Sequence, residues 1–112
     1  LPGVPHPVFR GDTGRLGIVL ETNGDPLADY AATQKQAFVA AGWRVTATAP
    51  FTTLAGTPGT RLSLQGTLFQ APLTIHLFVL DLPDHKAILT CSGTDPDLLR
   101  PCQASALTFV KP

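Results

Sequence analysis

The amino-acid sequence predicts one α+β domain, in which a mainly antiparallel β-sheet is packed by one long N-terminal helix and one short C-terminal helix. Three observations lead to this fold class. The chain has 112 residues, which is enough for a single hydrophobic core. One segment carries apolar residues at the spacing of a helix, whereas several others alternate with the period of a strand. The links between the middle strands are of hairpin length, which permits only antiparallel pairing.

The first residues, 1–14, predict an extended N-terminal arm, and 15–112 predict the folded domain. The arm, LPGVPHPVFRGDTG, contains three prolines and three glycines and has no hydrophobic period. The run RLGIVLE that follows alternates apolar residues and predicts the first strand. One face of this strand is formed by Leu16, Ile18 and Leu20.

A long helix is predicted from Pro26 to Ala41. Asp25 can cap it by accepting free amide protons, and Pro26 suits the first helical position because no amide donor is lost there. Gly42 is predicted to end the helix, since glycine adopts the left-handed conformation without a Cβ clash. The apolar residues of this segment recur three and four apart: Leu27, Tyr30, Ala31, Phe38 and Ala41.

A half-buried strand is predicted next, from Trp43 to Pro50. Its strict alternation places one set of residues on a common face: Trp43, Val45, Ala47 and Ala49. The dipeptide Pro58-Gly59 is typical of a turn and separates this strand from the next one.

Three further strands are predicted beyond that turn. The segments 60–69 and 73–82 alternate apolar residues on either side of Ala71-Pro72 and predict a long antiparallel pair. The segment 86–92 predicts a short strand. The residues on its common face are Ala87, Leu89 and Cys91.

The C-terminal part predicts a short helix and a last strand. Asp95-Pro96 repeats the cap-then-proline pattern of the long helix, but Pro101 follows too soon for a long one, so a turn or two is expected. A final strand is predicted from Ala106 to Val110. The predicted order is therefore β-α-β-β-β-β-α-β.

The two cysteines, Cys91 and Cys102, predict a disulfide. No second pair of cysteines and no nearby histidine completes a zinc set. Cys91 is expected on the inner face of a strand and Cys102 just after the short helix, so the bond would hold the loop between them over the core. Two free buried thiols are the alternative. Because such bonds persist in oxidising compartments, a disulfide favours export.

The charge balance and the polar motifs predict neither a nucleic-acid surface nor a catalytic site. Eight basic and eight acidic residues give a net charge of zero, so no basic stripe can neutralise phosphates. The serines lack the strained setting of a nucleophile elbow, and no two histidines have the spacing of metal ligands. No catalytic residue, metal or cofactor is therefore predicted.

Two polar groups nevertheless call for an interpretation. His76 lies within a strand and is interpreted as a partly exposed sheet histidine. Asp81, Asp84 and His85 form the densest polar cluster, and they are interpreted as ordinary turn residues. A small hydrolase with a site assembled from that cluster is the least favoured alternative.

Both faces of part of the predicted sheet are apolar. Val19, Phe69, Phe78 and Leu80 occupy positions where a half-buried sheet has polar residues. They predict a surface for a protein partner or an apolar ligand, unless the N-terminal arm and the short helix cover that face.

The order of elements and several phrases resemble the PsbP/Mog1/DcrB-like superfamily of small α/β proteins. The phrases are TTLAGTPGTRLSL, HKAILTCSG and LLRPCQASALTFV, and the resemblance extends over residues 15–110. It implies an antiparallel sheet between helices and a non-enzymatic accessory or binding role. It also implies an exported, lipoprotein-like protein of the bacterial periplasm or cell envelope.

The expected function is therefore that of an accessory module that docks on a larger protein assembly of a bacterial cell envelope. Its partner is expected to be another envelope protein, with membrane contact only through an N-terminal anchor outside this fragment. A carrier of an apolar small molecule, held between sheet and helix, is the alternative.

Overall fold

The computed structural model describes residues 9–10, 14–94 and 97–109. These ranges contain six strands and two helices. Their bounds are β1 Phe9–Arg10, β2 Gly14–Thr22, α1 Leu27–Ala40, β3 Arg44–Thr52, β4 Pro58–Leu68, β5 Ala71–Leu82, β6 His85–Gly93 and α2 Leu99–Leu107. The predicted cap at Asp95-Pro96, the end of the predicted last strand at Val110 and most of the predicted N-terminal arm lie outside the described residues. Neither described helix is long and apolar enough to span a bilayer.

The strands form one antiparallel sheet in the order β1-β2-β6-β5-β4-β3. Five strands are long, and β1 adds a two-residue edge. This confirms the predicted α+β class, and it confirms the long antiparallel pair, which is β4 with β5. Because β2 lies near one edge of the sheet and β3 forms the other, α1 connects opposite sides of the same sheet.

Each face of the sheet carries one buried cluster. On the face that we call the α1 face, Tyr30 of α1 packs against Leu62, Leu77 and Val79. The opposite face, the α2 face, is covered by α2. Its buried residues are Phe78, Leu80, Leu82, Ala87, Leu89, Cys91, Leu98, Cys102 and Ala106. The short helix therefore covers the apolar second face of the sheet.

A β-bulge at Thr46 divides β3 between the two faces. Val45 is opposite Leu64 on β4, whereas Ala47 is opposite Ser63, so one residue of β4 is matched by two of β3. The Thr46 hydroxyl donates to the Ser63 carbonyl at 3.2 Å and holds the bulge. Since neighbouring residues of β4 point to opposite faces, Val45 and Ala47 do as well. The prediction of a single face from Trp43 to Ala49 is therefore wrong.

The start of α1 differs from its prediction, whereas its end confirms it. Pro26 occupies the N-cap position without a side-chain cap, and the helix begins at Leu27. The predicted cap by Asp25 is wrong, because Asn23 binds both the amide and the carboxylate of Asp25, at 2.8 and 3.3 Å. At the other end, Gly42 has φ +97° and follows the last turn, as predicted.

The predicted final strand from Ala106 to Val110 is wrong, since α2 continues through Leu107. The helix begins only at Leu99, so Pro101 falls in its first turn, where a backbone N–H has no partner within the helix. Pro101 therefore does not shorten α2 as expected. The end of α2 is held to the β3–β4 loop, where the Leu54 N–H donates to the Leu107 carbonyl at 2.9 Å.

Cys91 and Cys102 form a disulfide, with Cα atoms 5.9 Å apart. Cys91 lies on the inner face of β6, as predicted. Cys102 lies within α2 and not after it, because the helix is longer than expected. Both cysteines are buried, so the bond attaches α2 directly to the centre of the sheet.

Candidate functional site

The polar cluster of the β5–β6 turn does not form one site. Asp81 is opposite Lys86 and Leu82 is opposite His85, so Asp81 and His85 point to opposite faces of the sheet. Asp84 lies between them in the turn, and its carbonyl accepts the Asn23 N–H at 3.0 Å. In the described part of the chain, no three His, Cys, Asp or Glu side chains lie close enough to hold a metal ion.

His76 is buried, which corrects its interpretation as a partly exposed residue. Its ring points to the α2 face, where only 8% of the residue is exposed. His76 Nδ1 lies 2.8 Å from Ser63 Oγ on the neighbouring strand. Burial lowers the pKa of His76, and the positive charge of Arg61 lowers it further. The neutral ring can thus accept the serine hydroxyl, and this pair belongs to the interior of the fold.

Lys86 is the buried charge of the α1 face, and it is fully engaged. Its Nζ lies 3.2 Å from Asp81 Oδ1, donates to the Asn23 carbonyl at 3.1 Å and lies 5.6 Å from the centre of the Tyr30 ring. The Tyr30 hydroxyl donates to Glu21 at 3.1 Å. Burial, followed by the hydrogen bond and the charge of Glu21, raises the pKa of Tyr30 to about 12. These contacts anchor α1 to the sheet.

The four residues predicted as a partner surface are dispersed by the fold. Phe78 and Leu80 are completely buried beneath α2, so their assignment to an exposed surface is wrong. Val19 is half-buried on the α1 face. Phe69 has 92% of its surface exposed, which is the largest exposure among the large hydrophobic residues that the structure describes. Only Phe69 is therefore available to a partner.

Phe69 lies at the end of a hairpin that projects beyond the sheet. The pairing of β3 with β4 ends at Gln65, and the pairing of β5 with β6 ends at Thr74. Residues 66–73, which we call the β4–β5 tip, continue as a two-stranded ribbon for three more residue pairs. At about 3.3 Å per residue, the ribbon extends roughly 10 Å past its neighbours. Its sequence, GTLFQAPL, contains no charged residue.

The turn at the end of the tip holds Phe69 in an uncommon backbone conformation. Phe69 has φ +51° and Gln70 has φ +67°. A two-residue hairpin turn of type I′ requires a positive φ at both central positions, and Asn-Gly is the usual sequence there. A bulky residue there costs about 1 kcal/mol or more. Sequence reasoning missed this turn because neither phenylalanine nor glutamine is a turn signal.

The base of the tip is fixed against α1 by an aromatic contact. A Cβ atom on Gly66 would lie 2.6 Å from Trp43 Cε3, so only glycine lets the indole ring lie against β4. The rings of Phe38 and Trp43 meet at nearly right angles, with centroids 6.3 Å apart. The Schellman motif after α1 sets this geometry, since the Trp43 N–H donates to the Phe38 carbonyl at 3.0 Å.

A pocket of about 300 Å³ lies beside the base of the tip. On the α2 face, its walls come from Arg44, Gln65, Thr67, Pro72 and Thr74. Arg44 is the charged group of this lining, and its Nη2 donates to Gln65 Oε1. The sequence gives no signal for this pocket, because its residues meet only through the pairing of β3, β4 and β5.

The comparisons with known proteins bear on the fold. No protein-family model and no curated protein matches the chain. Among solved structures, it is similar to the crystal structure of PA94 from Pseudomonas aeruginosa, described as a protein of unknown function and a candidate regulator, with a TM-score of 0.76 and 20% sequence identity. The match covers 97% of this chain and 82% of that one. At this identity, the likeness shows a shared fold alone.

Proposed function

We propose that this chain is a non-enzymatic docking module of the bacterial cell envelope, which binds another protein through the β4–β5 tip. The observation that carries the proposal is Phe69, a phenylalanine with 92% of its surface exposed at the end of a projecting hairpin. Large aromatic side chains supply much of the binding energy of protein interfaces when a partner pocket buries them. An exposed aromatic ring in a strained turn is costly for folding, so its presence favours a role in binding.

The platform behind Phe69 supports the same role. β4 and β5 are central strands of the sheet, and their inner halves are buried on both faces, through Leu62 and Leu77 on one and Phe78 on the other. Trp43 and Gly66 fix the base of the tip. A hairpin held in this way presents Phe69 in one position, which reduces the entropy lost on binding.

The composition of the tip indicates the chemistry of the partner surface. Since GTLFQAPL has no charge, the part of the partner that receives Phe69 is expected to be an apolar pocket. The compartment is supported by the Cys91–Cys102 bond, because structural disulfides persist mainly outside the reducing cytosol.

The carrier alternative has weaker support. The cleft between sheet and helix, where this alternative places the ligand, has about 290 Å³ and lies between α1 and the β3–β4 strands, bordered by Ala31, Ala32 and Leu62. This volume lies at the lower limit of small-molecule pockets, which bury most of their ligand in about 300 to 1,000 Å³. The docking role is therefore preferred to the carrier role, since it also accounts for the exposed Phe69.

The docking proposal can be tested with two exposed hydrophobic residues at opposite ends of the sheet. A photoreactive phenylalanine analogue replaces Phe69 in one variant and Leu54, which is 78% exposed, in the other. Both variants are produced in the cells that make the protein natively, and the crosslinked products are identified by mass spectrometry. We expect a defined protein adduct from position 69 and none from position 54.

Phe69→Ser and Leu54→Ser provide the matched competition experiment. Each unlabelled variant is co-produced in excess in the cells used for crosslinking, and the thermal unfolding of the purified variant is measured as a folding control. We expect Leu54→Ser to compete as well as the wild-type chain and Phe69→Ser to fail. The absence of an adduct at position 69, or equal competition by both variants, would contradict docking through the tip.

A further inference from the structure

We propose that the pocket at the base of the β4–β5 tip is a carboxylate-binding site, in which Arg44 receives an acidic side chain or a C-terminal carboxylate of the docked protein. This inference rests on the proposed docking function and adds the chemistry of the partner. The docked surface is expected to combine an apolar pocket for Phe69 with a carboxylate roughly 10 to 13 Å away, which is the length of the three to four residues that separate the turn from Gln65.

The position of Arg44 is set by the sheet. Arg44 is opposite Gln65 on β4, and Gln65 is opposite Thr74 on β5, so the three side chains share the α2 face. Thr67 lies two residues further along β4 and points the same way. The pocket of about 300 Å³ between them thus combines one cation with two hydroxyl groups.

The guanidinium group is oriented but not neutralised. Its Nη2 donates to Gln65 Oε1, which uses one of the five N–H donors of an arginine. Among the described residues, the ion pairs are Lys86 with Asp81 and Arg100 with Asp97, and neither involves Arg44. The remaining donors form a planar fork that fits the two oxygens of a carboxylate.

Docking at Phe69 would strengthen this site. In the free protein, Arg44 is exposed and water weakens its ion pair with a carboxylate, so a small carboxylate is expected to bind weakly but saturably, with Thr67 and Thr74 supplying further hydrogen bonds. A protein that buries Phe69 and extends roughly 10 Å along the tip also covers the pocket at its base and excludes water from the pair. A desolvated, charge-assisted hydrogen bond then contributes both affinity and register.

The pocket is tested directly with small probes and nuclear magnetic resonance on the intact, disulfide-bonded chain. N-acetylglycine presents a C-terminal carboxylate, and N-acetylglutamate N-methylamide presents an acidic side chain. N-acetylglutamine N-methylamide is the uncharged control. We expect at least one carboxylate probe to cause saturable shifts of the Arg44 Nε–H and of the Thr67 and Thr74 amides, and the glutamine probe to cause none. The probe that binds more tightly identifies the source of the carboxylate.

Three variants separate recognition by Arg44 from general charge effects. Arg44→Gln should weaken probe binding at least tenfold, and Arg44→Lys should give an intermediate loss because it keeps the charge without the fork. Arg100→Gln removes an exposed arginine elsewhere and should change nothing. Shifts that do not saturate, or that persist in Arg44→Gln, would overturn the site.

The two proposals fail in different ways. Phe69→Ser does not touch the pocket, so the probes should still bind to it. If they bind while Phe69→Ser competes normally for the crosslinked partner, the pocket stands and docking through the tip is wrong. If Phe69→Ser loses the partner but neither carboxylate probe binds, docking stands and the carboxylate site is wrong.

Discussion

The strand pair β4–β5 contains two regions of opposite character within one continuous ladder. In its inner region, Phe78 is completely buried, whereas in the β4–β5 tip Phe69 is 92% exposed. The two regions share their strands and their antiparallel register. They differ in their neighbours, because the pairing with β3 and with β6 covers the inner region and ends before the tip. The exposure of an apolar residue in this fold is thus decided by where the neighbouring elements end.

The largest effect is expected from truncating the two phenylalanines in parallel. Phe78→Ala should lower the free energy of unfolding by about 3 to 5 kcal/mol, because it leaves a cavity between Phe51 and α2. Phe69→Ala should change it by less than about 0.5 kcal/mol, since no packing is lost. Urea unfolding monitored by circular dichroism measures both. Comparable losses at the two positions would show that the tip is packed, and the contrast would disappear.

The second prediction concerns α2, the helix that covers the inner region. Replacing both Cys91 and Cys102 with alanine should lower the free energy of unfolding by about 3 kcal/mol, the chain-entropy estimate for a loop of this size. Because α2 is attached to the sheet by that bond, amide hydrogen exchange should rise first in α2 and in Phe78 and Leu80 beneath it.

The β4–β5 tip provides the internal control for the disulfide experiment. None of the tip residues whose side chains the structure describes belongs to the buried cluster beneath α2, so the exchange of the tip amides should be the same in the wild-type chain and in the variant. Uniform acceleration of exchange across all strands would indicate global unfolding. It would contradict the view that the disulfide acts locally by holding α2 against the sheet.

Much of the inner region could be predicted from sequence, because local patterns are sufficient there. Alternation placed Leu77 and Val79 on one face and Ala87, Leu89 and Cys91 on a common face, and both assignments are confirmed. The helical spacing of apolar residues followed by a glycine predicted the end of α1 at Gly42, and this is confirmed. The lack of a zinc set, together with the expected positions of Cys91 on a strand and Cys102 beside the short helix, was enough to predict the disulfide.

The features that sequence could not supply are tertiary. Along β3, exposed and half-buried residues alternate without interruption, although the bulge at Thr46 moves Ala47 to the other face. Pro101 predicted an early end of the short helix, but it lies in the first turn of α2. The β4–β5 tip depends on how far the neighbouring strands extend, and the pocket at Arg44 depends on the register of three strands. Local propensity contains neither kind of information.

A third, smaller effect concerns the boundary between the two regions, where His76 lies two residues from the end of the covered part of β5. Burial and the charge of Arg61 lower the pKa of His76 below its ordinary value of 6.5. In the unfolded chain the imidazole binds a proton near that value, while the folded state resists protonation. The stabilising contribution is therefore complete above pH 6.5 and is lost as the pH falls from 6.5 toward the lowered pKa.

The measurement is the free energy of unfolding between pH 7 and pH 5, made for the wild-type chain and for His76→Gln. We expect the wild-type chain to lose stability over this range and the variant to show a smaller slope, since glutamine can bond to Ser63 without titrating. An unchanged slope in His76→Gln would contradict burial of a neutral histidine at this boundary.

The smallest expected effect is a gain in stability, from Phe69→Asn in the tip. Asparagine tolerates the left-handed conformation that Phe69 adopts at φ +51°, so the free energy of unfolding should rise by about 0.5 to 1 kcal/mol. Leu54→Asn is a control at another exposed position, 78% exposed, whose φ is not positive, and it should give no gain. The same Phe69→Asn change should abolish crosslinking competition, because it removes the aromatic ring. A protein that becomes more stable and loses its partner in one substitution has kept a strained phenylalanine for binding, whereas a loss of stability would mean that Phe69 serves the fold.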